Sequence, residues 1–238
     1  MLLVVTLVAA PLHAQSEDDD GTIHFDPTIT DEQFEQFSLI VGQAIYATPV
    51  EPARATGLLG FDVGIAATAV EVDSDSEFWQ AATDSDVDKY LFVPRLVVSK
   101  GLGAATIAGT YARIPDLDLE LWGGSLDFPI INGGIVKPTL AVRASYSTLQ
   151  GIDEYDCKTY GVEAFLSKGF GPVTPYAAVG RMRVDAEGTI PDVRTLSGEF
   201  DSNRYTVGVR LSFLLPKFVV EATQAEERSY SAKVSIGW

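Results

Sequence analysis

The chain has 238 residues, 46% hydrophobic and 21% charged, with a net charge of −16. An acidic chain with no basic stripe argues against nucleic acid as a partner, and one cysteine, Cys157, excludes an intramolecular disulfide framework. Despite the apolar content, no run after residue 14 approaches the ~20 apolar residues that a membrane-crossing helix needs.

Residues 1–14, MLLVVTLVAAPLHA, are an apolar core followed by Pro11 and Ala14. They read as a secretory signal cut before Gln15, although no Lys or Arg precedes the core. Residues 15–29 form an acidic, aperiodic leader expected to be disordered. Thr30 and Gln33 then have capping-box spacing, with Asp31 and Glu32 in the first turn. Phe34, Phe37, Val41, Ala44 and Ile45 recur at helical spacing, predicting an amphipathic helix over roughly Asp31 to Tyr46, ended by Pro49 and Pro52. This helix, with its linker the unit 30–55, is expected to be a small periplasmic cap on the end of the following domain. An interfacial helix or a plug is the alternative.

From Gly57 the period changes to two, and residues 56–238 read as one β domain. Ten strands are predicted, near 57–72, 90–101, 104–114, 117–130, 135–149, 157–168, 173–186, 203–214, 217–225 and 229–238. Tyr205, Val207, Val209, Leu211 and Phe213 alternate with Arg204, Thr206, Gly208, Arg210 and Ser212. Leu59, Phe61, Val63 and Ile65 alternate with Gly60, Asp62 and Gly64, and the last segment repeats the pattern from Tyr230 to Trp238. The fourth strand loses phase at Gly123-Gly124, where a β-bulge would restore it.

Every second connection is tight, such as Gly101-Leu102-Gly103 and Leu215-Pro216. The alternate ones include the two longest, about 73–89 and 187–202, both acidic. Short turns at one end and long polar loops at the other suit a transmembrane barrel better than a soluble sandwich. Trp238, Phe213, Phe170, Phe128 and Tyr176 fall near the short-turn end; Tyr90, Phe92, Tyr146, Tyr160, Tyr205 and Tyr230 fall near the other. Two such belts match interfacial girdles. The fold expected is an all-β antiparallel transmembrane β-barrel of about ten strands, eight or twelve being alternatives, with a short N-terminal amphipathic helix.

The segment Tyr230-Ser-Ala-Lys-Val-Ser-Ile-Gly-Trp238 resembles the C-terminal signature of bacterial outer-membrane barrels. The resemblance is greatest to small barrels of the OmpA and OmpX type, though ten strands is a number shared with the omptin proteases. It implies the outer membrane of a Gram-negative-type bacterium, with both termini periplasmic. The implied partners are outer-membrane lipid, lipopolysaccharide and the barrel assembly machinery, which reads the strand ending at Trp238.

Few residues point to catalysis. His13 lies in the signal and His24 in the leader, which leaves no general base in the barrel for an omptin-like protease or a Ser-His lipase. No catalytic, metal or cofactor residue is assigned. Asp73, Asp75, Glu77, Asp84, Asp86 and Asp88 offer oxygen ligands for Ca²⁺ but lack the EF-hand glycine and terminal Glu, so a solvated loop is expected. Phe78-Trp79 is a modest adhesive feature of the same loop. Arg95, Arg143, Arg181, Arg183, Arg204, Arg210 and Lys233 are expected to face the lumen, with Asp62, Asp118, Glu120, Glu163 and Glu221 as partners. The favoured function is a non-enzymatic barrel, structural or surface-interacting through its outer loops. The alternatives are a narrow channel or a small-anion binder using the lumenal arginines and, last, a lipid- or peptide-modifying enzyme.

Overall fold

The computed structural model describes residues 25–73, 89–114, 119–134, 137–152 and 154–238. One helix, α1 (Asp31–Ile45), precedes ten strands: β1 (Phe61–Glu71), β2 (Tyr90–Gly101), β3 (Thr106–Ile114), β4 (Leu119–Ile131), β5 (Thr139–Gln150), β6 (Tyr155–Ser167), β7 (Val173–Ile190), β8 (Arg194–Ser212), β9 (Pro216–Gln224) and β10 (Arg228–Gly237). Each strand pairs antiparallel with its chain neighbours. β1 pairs with β10 from Asp62↔Gly237 to Val70↔Ser229, so the sheet closes. Closure leaves no unpaired edge, a requirement wherever a wall meets lipid.

Alternation sets the register. In β10, Tyr230, Ala232, Val234 and Ile236 point outward, as does Trp238 just beyond it, while Ser229, Ser231, Lys233 and Ser235 are buried inside. A one-residue slip would put Lys233 into the apolar exterior.

Four expectations need correction. The fourth strand has no bulge at its glycine pair: Gly123 pairs Thr110 and Ser147, Gly124 pairs Gly109 and Tyr146, and the irregularity lies between Pro129 and Ile131. Phase holds because Gly123 simply takes an inward position. The segment 187–202 is no open loop. It continues β7 and β8 into a hairpin turning at 191–193, with Asp192 left-handed at φ 58°. There the alternation inverts, with Val184, Ala186 and Ile190 inward and Asp185, Glu187 and Glu199 outward, the pattern of a wall in water. The leader does not extend to residue 29, since Phe25 and Ile29 are buried and Phe25 packs edge-on against Phe34, Phe37 and Tyr155.

The fourth correction concerns α1, which is a plug and not a cap. Its start follows the expected capping box: Gln33 N donates to Thr30 Oγ1 (3.2 Å) and Thr30 N to Gln33 Oε1 (2.9 Å). Phe34, Phe37 and every residue from Ser38 to Ile45 are buried. A helix covered on nearly all sides needs walls around it, and α1 touches β1, β2, β5, β6, β7 and β8. Phe34 lies beside Gly188 and Phe200 near the long-hairpin end; Gly42 lies against Val184, deeper in. The chain then runs on down the lumen to Thr56, which bonds Thr106 near the short turns. Phe25, beside Gly188, and Trp238, paired with Phe61, therefore lie near opposite ends of the barrel.

The plug fits because the wall gives it room. A Cβ on Gly123 would collide with the Cβ of Ala47, whereas one on outward Gly124 meets only Ala108 O at an ordinary 3.5 Å. Gly123→Ala is expected to destabilise the micelle-folded barrel by about 1–3 kcal/mol of overpacking, read as a lower chemical-denaturation midpoint. Gly124→Ala is expected to be neutral or slightly stabilising. Equal effects from these adjacent substitutions would contradict the plugged geometry.

Candidate functional site

The outside of the barrel is banded. Phe61, Phe128, Phe170, Phe213, Phe218 and Trp238 ring the short-turn end, and Phe61 meets Trp238 at 4.6 Å between ring centroids. Tyr90, Phe92, Trp122, Tyr146, Tyr160, Tyr205 and Tyr230 ring the other. Between them the outward residues are aliphatic or small, such as Ile65, Val162, Val179, Val207 and Val220. Tyr205 and Phe213 lie eight residue steps apart, as do Tyr230 and Trp238. At ~3.3 Å per residue and a tilt of about 40° this gives roughly 20 Å of height, near the ~25 Å apolar band of outer-membrane barrels.

Beyond the tyrosine ring the exterior becomes charged, and two expected lumenal arginines belong here. Arg181 and Arg183 point outward on the extended hairpin and pair with Asp201 (3.1 Å each); Arg183 also pairs with Glu199 (3.2 Å). Their phase is that of outward Val179, so they mark where β7 leaves the apolar band. Glu120 is also outward, accepting from Tyr111 Oη (3.3 Å) and Trp122 Nε1 (3.2 Å) within the girdle. Tyr176 goes the other way. It is buried in the lumen and donates to Glu221 Oε1 at 2.5 Å. Asp118, His24, Phe78-Trp79 and the acidic positions 75–88 lie outside the described residues. Asp73 is described, and together with burial it helps push the Glu227 carboxyl up, with Glu71 and Glu226 adding to the effect.

Inside, the plug divides the lumen into layers. The outer half is apolar: Val70, Val93, Ala112, Leu121, Leu149, Cys157, Met182 and Val184 line α1. At this level Gln43 is held by both its amide groups, Nε2 donating to Glu227 O (2.8 Å) and Oε1 accepting from Glu227 N (3.1 Å).

The middle layer surrounds Tyr46. Its hydroxyl donates to Glu163 Oε2 (3.2 Å), and the Arg204 guanidinium lies 4.1 Å from its ring centre and 3.6 Å from Glu163. The last carbonyls of a helix lack intrahelical partners and carry partial negative charge. Arg95 supplies the cap, donating to Ala44 O (3.1 Å) and Tyr46 O (2.8 Å).

The inner layer is ionic. Arg143, fully buried, forks onto Asp127 (2.6 and 2.8 Å) and donates to Glu51 O (3.0 Å). Lys233, equally enclosed, donates to Pro49 O (3.0 Å) and pairs with Asp62 (3.0 Å) and Glu51 (3.5 Å). Lys217 holds the other Asp62 oxygen at 2.8 Å. Arg95, Arg143, Arg204, Arg210, Lys233, Asp62, Glu163 and Glu221 thus face inward as expected. Sequence reasoning missed Glu51, Arg54, Asp127 and Lys217. Asp127 and Lys217 were legible as inward phases of β4 and β9; Glu51 and Arg54 were hidden in a segment taken for a linker.

Girdles, closed sheet and filled lumen define the class: a small transmembrane β-barrel of the outer-membrane type. Among solved structures it is similar to the N-terminal β-barrel domain of OprF from Pseudomonas aeruginosa (11% identity, 74% of this chain and 97% of that chain covered, TM-score 0.37). It is also similar to neisserial surface protein A (13%, 74% and 96%, TM-score 0.32). A third is Ail, the attachment invasion locus protein of Yersinia pestis, in complex with the heparin analogue sucrose octasulfate (14%, 75% and 95%, TM-score 0.29). No protein-family model matches the chain, and no curated protein sequence does.

Removing one member of a buried ion pair leaves the other charge unpaired, at a cost of about 3–5 kcal/mol. Asp127→Asn is therefore expected to destabilise the folded barrel by that order, measured by denaturant unfolding in micelles. Pairing it with Arg143→Met should recover part of the loss; a double variant worse than the sum of the singles would contradict this account.

Proposed function

We propose that this chain is a plugged, non-enzymatic surface barrel of the bacterial outer membrane, secreted by residues 1–14. The short turns and Trp238 face the periplasm, and the β7–β8 hairpin stands outside. The observation that carries the reading is the lumen, occupied from Phe34 to Thr56 by the chain's own segment and gripped by Arg95, Arg143 and Lys233. Arg95, Arg143 and Lys233 are thereby spent on holding that segment. What the barrel presents to a partner is then its outer rim: the hairpin with its Arg183–Asp201 pairing, and the acidic surface around Glu71, Asp73 and Glu227. The strand ending at Trp238 is the feature we assign to the assembly machinery, and lipid with lipopolysaccharide to the apolar band.

Two measurements test this. The full-length chain in planar bilayers is expected to give no conductance steps, whereas regular steps would favour a channel. Asp192→Cys, at the hairpin tip, is expected to react with an impermeant maleimide on intact cells. Leu214→Cys, in a short turn, should react only once the outer membrane is opened, with buried Cys157 silent throughout. The opposite pattern would invert the proposed orientation.

A further inference from the structure

The inner lumen has an imbalance of charge. Among the described residues it holds Arg54, Arg143, Arg210, Lys217 and Lys233 against Glu51, Asp62 and Asp127. All three carboxylates are committed: Asp127 to Arg143, Asp62 to Lys217 and Lys233, Glu51 to Lys233. Arg143 and Lys233 also reach plug carbonyls. Among the described residues, Arg54 and Arg210 have neither a carboxylate within 4.0 Å nor a carbonyl acceptor.

Ala53, next to Arg54, packs in one cluster with Val219, the register partner of Arg210, which brings the two guanidiniums near enough to repel each other. Glu51 attracts both of them, and Asp62 attracts Arg210, only from beyond ion-pair range. Among the described residues Arg54 Nε has no acceptor, nor have Nε and Nη1 of Arg210, whose one hydrogen bond runs from Nη2 to Thr174 Oγ1 at a long 3.4 Å. Arg143 keeps Nη1 unpartnered in the same layer. Buried donor nitrogens left unsatisfied on two neighbouring cations are costly unless a ligand supplies the acceptors. The position allows one. Both side chains are half-buried, and Arg54 lies two residues from Thr56, which marks the short-turn mouth.

We propose that Arg54 and Arg210, with the Thr174 hydroxyl, form an oxyanion site at the short-turn mouth of the lumen that binds a phosphate group. Two forked donors on separate elements suit a tetrahedral oxyanion, which accepts from several directions and spreads up to two negative charges. Thr174 Oγ1 accepts from Arg210, and its own proton is left to donate. The source is either free phosphate or the headgroup of a phospholipid. The site concerns the inner end of the lumen and does not depend on the surface role proposed above.

The test uses the full-length barrel, folded and purified in a phosphate-free glucoside detergent. In the first arm, inorganic phosphate is added against chloride at constant ionic strength, and the thermal midpoint is read by heat-modifiable migration. Phosphate is expected to raise the wild-type midpoint, with Arg54→Gln or Arg210→Gln each weakening the apparent affinity about tenfold or more. The double variant should not respond. Arg181→Gln with Arg183→Gln, on the outer wall, should respond as wild type does. In the second arm, ³¹P NMR reads any phosphodiester co-purifying with the barrel. A stoichiometric signal absent from the double variant assigns the site to a lipid headgroup. Heat-modifiable migration shows which variants have folded; because Arg54 is outside the strands, Arg54→Gln keeps the test available if Arg210→Gln does not fold. A wild type with neither response nor bound phosphorus overturns the proposal, as does a folded double variant that keeps either.

Discussion

A barrel of eight strands is narrow enough for its own inward side chains to fill. Ten strands enclose a wider lumen, and the rest of this structure follows from filling it. The inward wall residues are mostly small: Ala66, Ala141, Ala178, Gly123, Gly161, Ser147 and Thr159. They leave a shaft, and the segment from Phe34 to Thr56 occupies it. Where that segment is helical its backbone is satisfied internally, so the surrounding wall is apolar. Below Ile45 the helix ends, and the freed carbonyls need donors. Wall cations provide them, Arg95 to Ala44 and Tyr46, Lys233 to Pro49, and Arg143 to Glu51.

This explains why so many charges lie inside an otherwise tightly filled molecule. Buried ion pairs seldom add net stability over apolar residues of equal volume. Here they fix the height and rotation of a segment that would otherwise slide along a smooth bore. Val50 shows how firmly it is held: fully buried and β-branched, it sits in the left-handed region at φ 49° between two gripped carbonyls. Lys233 ties the plug to β10, the closing strand, so closure of the wall and seating of the plug share one side chain.

The strand number, the outward faces and most of both girdles were legible because lipid contact imposes a strict two-residue period with apolar residues on a known face. The same rule misled where the surroundings change. Above the tyrosine ring the hairpin wall is wet outside and dry inside, so the lipid-facing rule points Arg181 and Arg183 inward and makes a loop of 187–202. Tyr176 was placed in a girdle for its type, although its phase is that of buried Thr174 and Ala178. The plug left two signals in the sequence. One was a helix apolar over too wide an arc for a surface cap, from Ser38 to Ile45. The other was a set of inward wall positions, Val70, Val93, Leu121 and Met182, too apolar for a wet lumen.

The outer hairpin and the plug are one packing unit. Arg194 reaches from β8 to the carbonyl of Ile29 and lies 3.6 Å from Asp31, while Phe200 packs on Phe34. Asp26, which accepts from Thr28 N and Oγ1, has its carboxyl held below the usual range by those bonds as the chain enters the lumen. The most direct test of the account is native-state hydrogen exchange on the micelle-folded barrel, read over residues 34–45. A plug enclosed by the wall predicts that the α1 amides are protected to the level of β6 and β7 and open only with them. Exchange of α1 orders of magnitude faster than those strands, at the rate of an exposed helix, would contradict it.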